Sequence, residues 1–81
     1  MPRKSMAKQR REELLDAFER CIIKFGLEGT SLEQVAEEAS MTRSIIRHYI
    51  GNRDQLVEAL IERIIRQYTE QLIASYSDLS P

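Results

Sequence analysis

Little in this chain would interrupt a helix. Its 81 residues include three glycines and two prolines, and the prolines stand at the extremes, at Pro2 and Pro81. Because glycine and proline are the residues that most disfavour helix interiors, long helices can form between them. A chain of this length buries one small core, so we expect a single domain. With 42% apolar residues, the composition predicts an all-α fold rather than a disordered or β-rich one.

The chain also lacks what several other classes of protein require. Its one cysteine, Cys21, excludes an intrachain disulfide and has no companion at metal-ligand spacing, so we expect it to pack as a small hydrophobe. No apolar run reaches the roughly 18 residues of a membrane span, and no signal-peptide pattern occurs, which predicts a cytoplasmic protein without a membrane partner. No catalytic set and no phosphate-cradling glycine loop is present. We therefore expect no enzyme, no catalytic residue, no metal and no cofactor.

Positive charge is concentrated in two segments. The net charge is −1, yet residues 1–11 carry five basic side chains and no acid, and residues 40–53 carry Arg43, Arg47 and Arg53 and no acid. The rest of the chain is strongly acidic. Such a chain can present a basic face to phosphate while its acidic remainder keeps it soluble. The N-terminal basic segment either contacts a nucleic-acid backbone or only aids solubility.

Apolar periodicity predicts four helices, near residues 7–25, 32–39, 43–49 and 53–76. The first helix ends at Gly26, which can adopt the left-handed conformation. Ser31 followed by Gln34 forms a capping-box pattern for the second helix, and Thr42 and Asn52 can cap the third and fourth. The predicted core consists of Leu14, Phe18, Ile22, Val35, Ala36, Ile46, Leu56 and Leu60.

The second and third predicted helices are separated by three residues, and the third carries basic and hydroxyl side chains. This is the helix-turn-helix arrangement, whose second helix enters the major groove of DNA. Ile45, Ile46 and Tyr49 share one sector of the third helix, which leaves its polar residues on or near the other. An arginine fork can pair with the O6 and N7 acceptors of guanine, contributing about 1–3 kcal/mol of base discrimination. We therefore predict base contacts by Arg43, Ser44 and Arg47.

The helix-turn-helix segment resembles the signature of the TetR family of transcriptional regulators. The resemblance rests on Gly26, on residues 30–39 (TSLEQVAEEA) and on residues 41–56 (MTRSIIRHYIGNRDQL), and it covers about residues 10–60. It implies a homeodomain-like three-helix bundle whose third helix reads DNA. It also implies that the long fourth helix leads into a C-terminal domain that dimerises and binds a small-molecule effector.

The resemblance extends to individual positions. It implies phosphate contacts by Ser31, at the opening of the second helix, by Tyr49, at the end of the third, and by Arg53, at the start of the fourth. We add Thr42 and His48 to this set, with simple exposure to solvent as the alternative for His48.

Three positions depart from the family pattern. Ser40 stands where the turn usually has glycine, so either Ser40 is held left-handed at a cost of roughly 1 kcal/mol or the turn differs. Arg47 replaces the usual aromatic residue and Ile50 the usual phenylalanine. Arg47 therefore enlarges the candidate contact set, and the operator sequence of relatives cannot be transferred.

Together these observations predict three segments: a flexible basic arm over residues 1–6, a helix-turn-helix domain over 7–60, and the start of a linker helix over 61–81. The predicted function is to read a palindromic double-stranded DNA operator through the major groove, as part of a homodimeric repressor whose C-terminal domain is missing here. The alternative is a small helical protein-interaction module that does not bind DNA and uses the apolar residues beyond about Ile64.

Overall fold

The computed structural model describes the backbone of residues 4–79 and the side chains of residues 6–77. It contains helices α1 (Lys4–Phe25), α2 (Leu32–Ala39), α3 (Arg43–Tyr49) and α4 (Arg53–Leu79), and no strand occurs in this part of the chain. The predicted all-α architecture is confirmed.

The predicted boundaries of α2 and α3 match the structure, but the outer helices are longer than predicted. The first helix begins three residues earlier than predicted, so residues 4–6 of the predicted arm are helical, while residues 1–3 lie outside the described part. The fourth helix continues past the predicted end at residue 76 because no residue of helix-breaking type occurs before Pro81.

The connection between α1 and α2 depends on two glycines. Gly26 has a φ of 81° and its amide still donates to the carbonyl of Ile22 at 2.7 Å, which closes the helix. A Cβ at Gly29 would collide with the carbonyl oxygen of Phe25, so only glycine fits there. Thr30 is buried and its hydroxyl donates to the Gly26 carbonyl at 2.7 Å, which holds the connection against the bundle.

The start of α2 is a complete capping box. The amide of Gln34 donates to Ser31 Oγ at 3.2 Å, and the amide of Ser31 donates to Gln34 Oε1 at 2.8 Å. The same reciprocal pair recurs at α4, where Asn52 and Gln55 exchange two bonds of 2.9 Å each. Each cap satisfies helix-end amides with local side chains, so these starts are fixed by sequence.

The turn between α2 and α3 passes through a left-handed serine. The sequence allowed either a left-handed Ser40 or a different turn. Ser40 has φ 57° and ψ 42°, so it is left-handed. Its neighbour Met41 donates its amide to Ala36 O at 2.9 Å, a bond that closes the C-terminal end of α2. Thr42 then caps α3 by accepting from the amide of Ile45 at 3.2 Å.

One apolar core joins the four helices. Of the eight predicted core residues, seven are buried, and Ile22 is only partly buried against the rest. Cys21 is packed as a small hydrophobe, and burial raises the pKa of its thiol. The prediction missed Leu15, Ala17 and Met41.

A buried arginine ties α4 to α1. Arg63 is only 5% exposed, and its Nη1 lies 2.9 Å from both Glu12 Oε1 and Asp16 Oδ1, while Nη2 lies 3.3 Å from Glu19 Oε1. Burial disfavours the charged form, but the hydrogen bonds to Glu12 and Asp16, together with the negative charges of Asp16 and Glu19, outweigh it, so the pKa of Arg63 is raised. The burial of Arg63 was not predicted, because helical periodicity does not reveal which neighbour covers a polar position.

Candidate nucleic-acid interface

Helix α3 presents most of its polar side chains to solvent. Ile46 is fully buried and Tyr49 is half-buried against the core, which fixes the orientation of the helix. The side chains left exposed include all three predicted base contacts, and the full exposed polar set is Arg43, Ser44, Arg47 and His48. Arg43 and Arg47 are one helical turn apart, so both can approach the same groove.

Ile45, which the spacing places in one sector with Ile46 and Tyr49, is exposed although those two residues pack against the core. Its side chain is 37% exposed and lines a shallow hollow of about 360 Å³ whose other residues include Ser44, His48 and Arg10. A helix of seven residues contacts the bundle along a single stripe of positions three apart, here Ile46 and Tyr49. Ile45 lies about 40° from Tyr49 but about 100° from the fully buried Ile46, so it stands at the margin of the stripe, where its exposed part can contact a thymine methyl group.

A second hollow brings residues from three helices together. It holds about 330 Å³ and is lined by Thr30, Ser31, Leu32, Glu33, Arg43 and Arg53. The N-terminus of α2 opens into it, and the first-turn amides of a helix attract anions. Two of the predicted phosphate contacts, Ser31 and Arg53, therefore flank the predicted base contact Arg43. Three residues separated by up to 22 positions in the chain meet at one surface.

The guanidinium of Arg53 is anchored by backbone carbonyls. Its Nε donates to Thr30 O at 3.0 Å, and its Nη2 donates to Leu27 O. These bonds link the start of α4 to the connection between α1 and α2, and they leave Arg53 half-buried. The positive charge is thus held at the edge of the hollow instead of extending freely into solvent.

The remaining predicted phosphate residues lie at the two ends of α3. Thr42 is an exposed residue, and its hydroxyl caps the start of the helix. At the other end, the His48 and Tyr49 rings pack edge to face with their centroids 5.0 Å apart. This contact orients both rings at the C-terminal end of the helix.

The sequence did not predict two contacts of this surface. Arg11 Nη1 donates to the carbonyl of Tyr49 at 3.0 Å, so one of the basic residues of the N-terminal segment stabilises the end of α3. Arg43 Nη1 lies 3.5 Å from Glu33 Oε2 of α2, so the basic face includes an acid. No local pattern signals either pair, since the partners are far apart in the chain.

In the part of the chain that the structure describes, no group of three potential metal ligands comes together, and no helix combines the length and apolarity needed to cross a bilayer.

Comparison with known proteins identifies the family. The model of the bacterial regulatory proteins of the tetR family matches residues 14–60, which include the whole helix-turn-helix. The chain belongs to this family. The resemblance inferred from the sequence is confirmed.

Similar curated proteins support the assignment. The HTH-type transcriptional regulator BetI of Burkholderia ambifaria is 37% identical over 82 residues, covering 96% of this chain and 42% of the relative. BetI of Burkholderia thailandensis is 41% identical over 66 residues, covering 82% of this chain and 34% of the relative. The chain thus spans less than half the length of these relatives. No solved structure matches it significantly.

Proposed function

We propose that this chain is the operator-reading module of a homodimeric transcriptional repressor, with Arg43, Ser44 and Arg47 contacting base edges. The observation that carries the proposal is the exposed face of α3, on which Arg43 and Arg47 lie one turn apart and Arg43 borders the hollow at the N-terminus of α2. An α-helix fits the major groove of B-form DNA, and there a bidentate arginine distinguishes guanine from the other bases.

The backbone of the DNA would be held from both sides of α3. On the α2 side, Ser31 and Arg53 border the hollow that an anion can enter, and Thr42 lies at the adjoining helix start. On the other side, His48 and Tyr49 offer an imidazole and a phenol to a second phosphate. Contacts of this class set the register of the protein on the duplex without reading sequence.

The whole protein is proposed to be a dimer that recognises a palindromic operator. The chain spans less than half of its relatives' length, and the apolar side chains of α4 beyond Arg63 are exposed. A further domain that covers them and binds its own copy would place two modules at half-site spacing, where linkage raises affinity by about 10²–10⁴. A small-molecule effector would bind that domain. As a bacterial DNA-binding regulator, the protein would act in the cytoplasm and catalyse no reaction.

The test is selection of bound sequences from a random duplex pool, followed by titration of the selected site with variants. Arg43→Ala and Arg47→Ala should each weaken binding to the selected site by about 10-fold or more and relax preference at defined base pairs. Arg53→Ala should weaken selected and random duplexes alike and lower the salt slope by roughly 0.9 for the phosphate lost.

Arg66→Ala, an exposed arginine of α4 away from this face, is the matched control and should change neither quantity. Because Arg53 also bonds two carbonyls, Arg53→Lys and thermal unfolding separate loss of contact from loss of fold. Failure to enrich any sequence, or equal effects of all three substitutions on selected and random DNA, would refute the proposal.

A further inference from the structure

Two basic side chains of the N-terminal segment, Lys8 and Arg10, lie on opposite sides of α1. They stand two positions apart, which is about 200° around a helix. Lys8 lines a hollow of about 510 Å³ between α1 and α4, whose other residues include Glu62. Arg10 instead lines the hollow of about 360 Å³ at α3, together with Ser44 and His48. Folding therefore brings one of these two cations to the candidate DNA interface and turns the other towards α4.

The hollow at Arg10 and the hollow at Arg53 flank the exposed face of α3. Around the helix axis, His48 lies on one side of that face and lines the first hollow, while Arg43 lies on the other side and lines the second. An α-helix is about 10–12 Å across and the major groove about 12 Å wide, so both phosphate walls of the groove come close to an inserted helix. Arg53 supplies a cation to one wall, and Arg10 is placed to supply a cation to the other.

The guanidinium of Arg10 has donors to offer a phosphate. Its Nη1 lies 3.3 Å from Glu13 Oε1, and both side chains of this pair are 44% exposed. An exposed pair within one helix contributes little to folding stability. A guanidinium has five N–H donors, so Arg10 can bind a phosphate oxygen through another of them. Glu13 does not line the hollow at α3, so its carboxylate does not occupy the space that a phosphate would enter.

We propose that Arg10 is a phosphate-binding residue of the DNA interface, on the opposite side of α3 from Arg53, and that Lys8 is not. The inference rests on the proposed function of this chain as a DNA-reading module. The sequence left the N-terminal basic segment with two alternatives, contact with a nucleic-acid backbone or solubility alone, and the fold assigns a different one to each of these residues. Because a phosphate contact carries no base information, Arg10 strengthens binding to selected and random duplexes alike.

The test compares Arg10→Ala with Lys8→Ala, which removes the same charge from the other side of the same helix. Fluorescence anisotropy gives the dissociation constants for the selected duplex and for a random duplex over a range of salt. Arg10→Ala should weaken binding to both by about 5–10-fold near 0.1 M salt and lower the salt slope by roughly 0.9. Arg10→Lys should restore the slope because it keeps a cation. Lys8→Ala should change each affinity by less than about 2-fold, since solvent screens a charge that is not in contact with DNA.

A double variant tests the placement of the two cations on two sides of α3. Arg10→Ala and Arg53→Ala should remove different phosphate contacts, so their losses should add and the salt slope should fall by roughly 1.8 in the double variant. A smaller combined loss would mean that both cations bind one phosphate and would contradict the placement. Thermal unfolding of Arg10→Ala should give nearly the wild-type midpoint, because the pair with Glu13 is exposed.

Three results would overturn the proposal: equal effects of Arg10→Ala and Lys8→Ala, a salt slope that Arg10→Ala leaves unchanged, or a loss confined to the selected duplex. A failure of the proposed function gives a different result, because the wild-type chain would then enrich no sequence. If Arg43→Ala and Arg53→Ala act as expected while Arg10→Ala has no effect, the inference about Arg10 fails and the proposed function stands.

Discussion

The two halves of α4 have similar apolar patterns but opposite surroundings. Before and at Arg63, the helix buries Leu56, Leu60 and Arg63 itself against the bundle. After Arg63 every described side chain is exposed, including Ile65 at 59% and Tyr68 at 63%. The difference teaches that helical periodicity reports which face of a helix is apolar, but not whether anything covers that face.

The half of α4 that ends at Arg63 also forms salt bridges to another helix. Arg63 pairs with Glu12, Asp16 and Glu19 of α1. After Arg63 the described side chains of α4, up to residue 77, are all exposed, so burial in the bundle core stabilises only the first part of the helix.

The largest expected contrast is between two leucines of α4. Leu60→Ala removes a side chain that is 7% exposed and should lower the free energy of unfolding by about 2–4 kcal/mol, because it leaves a cavity. Leu72→Ala removes one that is 46% exposed and should cost less than about 0.5 kcal/mol. Urea unfolding followed by circular dichroism measures both. Equal losses would break the comparison, since they would mean that the end of α4 is covered in solution, and sedimentation would then show whether a second copy covers it.

The next contrast is between two arginines of α4. Arg63→Ala leaves three carboxylates of α1 near one another without their cation, so we expect a loss of about 1–3 kcal/mol. The figure is below that of a fully buried pair because the side chains of Glu12, Asp16 and Glu19 are 43–56% exposed and solvent screens them. Arg66→Ala, at an exposed position, should cost less than about 0.5 kcal/mol in the same unfolding assay. A loss at Arg66 as large as that at Arg63 would contradict the division of α4 at residue 63.

The smallest effect concerns acid. Hydrogen bonds from Arg20 and then from Lys24 lower the pKa of Glu38 from its ordinary value of 4.5. A lowered pKa in the folded state gives stability that is present above the ordinary value and is lost as pH falls through the lowered one. Wild type should therefore be slightly more stable than Glu38→Gln at neutral pH. The difference in thermal midpoint should vanish under strongly acidic conditions, and a difference that stays constant with pH would exclude this ionic origin.

Much of this fold could be predicted from sequence because its determinants are local. The capping box of Ser31 and Gln34 acts within three residues, and so does the Thr42 cap. Gly26 ends α1 through its own backbone conformation. Interactions this short involve atoms whose relative positions are set by the helix itself, so residue type and spacing are enough to identify them.

The candidate interface was predictable in part for the same reason. The spacing of the apolar residues of α3 predicts which side of the helix is exposed, and Arg43, Ser44 and Arg47 lie there. Ile45 shows that a short helix buries fewer of its apolar residues than the spacing predicts. The family signature supplied the positions of Ser31, Tyr49 and Arg53. It could not show that Arg53 is held by two carbonyls of the preceding connection.

What the sequence by itself determined, then, is the four helices, their caps, the end of α1 at Gly26 and the basic, polar side of α3. Only the tertiary structure decided which polar groups of different helices meet. Arg63 bonds Glu12, 51 residues away in the chain, Arg11 bonds the Tyr49 carbonyl, 38 residues away, and Arg43 lies beside Glu33. Local elements follow from backbone geometry and side-chain type over one or two turns. Pairs between helices depend on the angles and distances at which those helices pack, and the packing is fixed by the shape of the whole core.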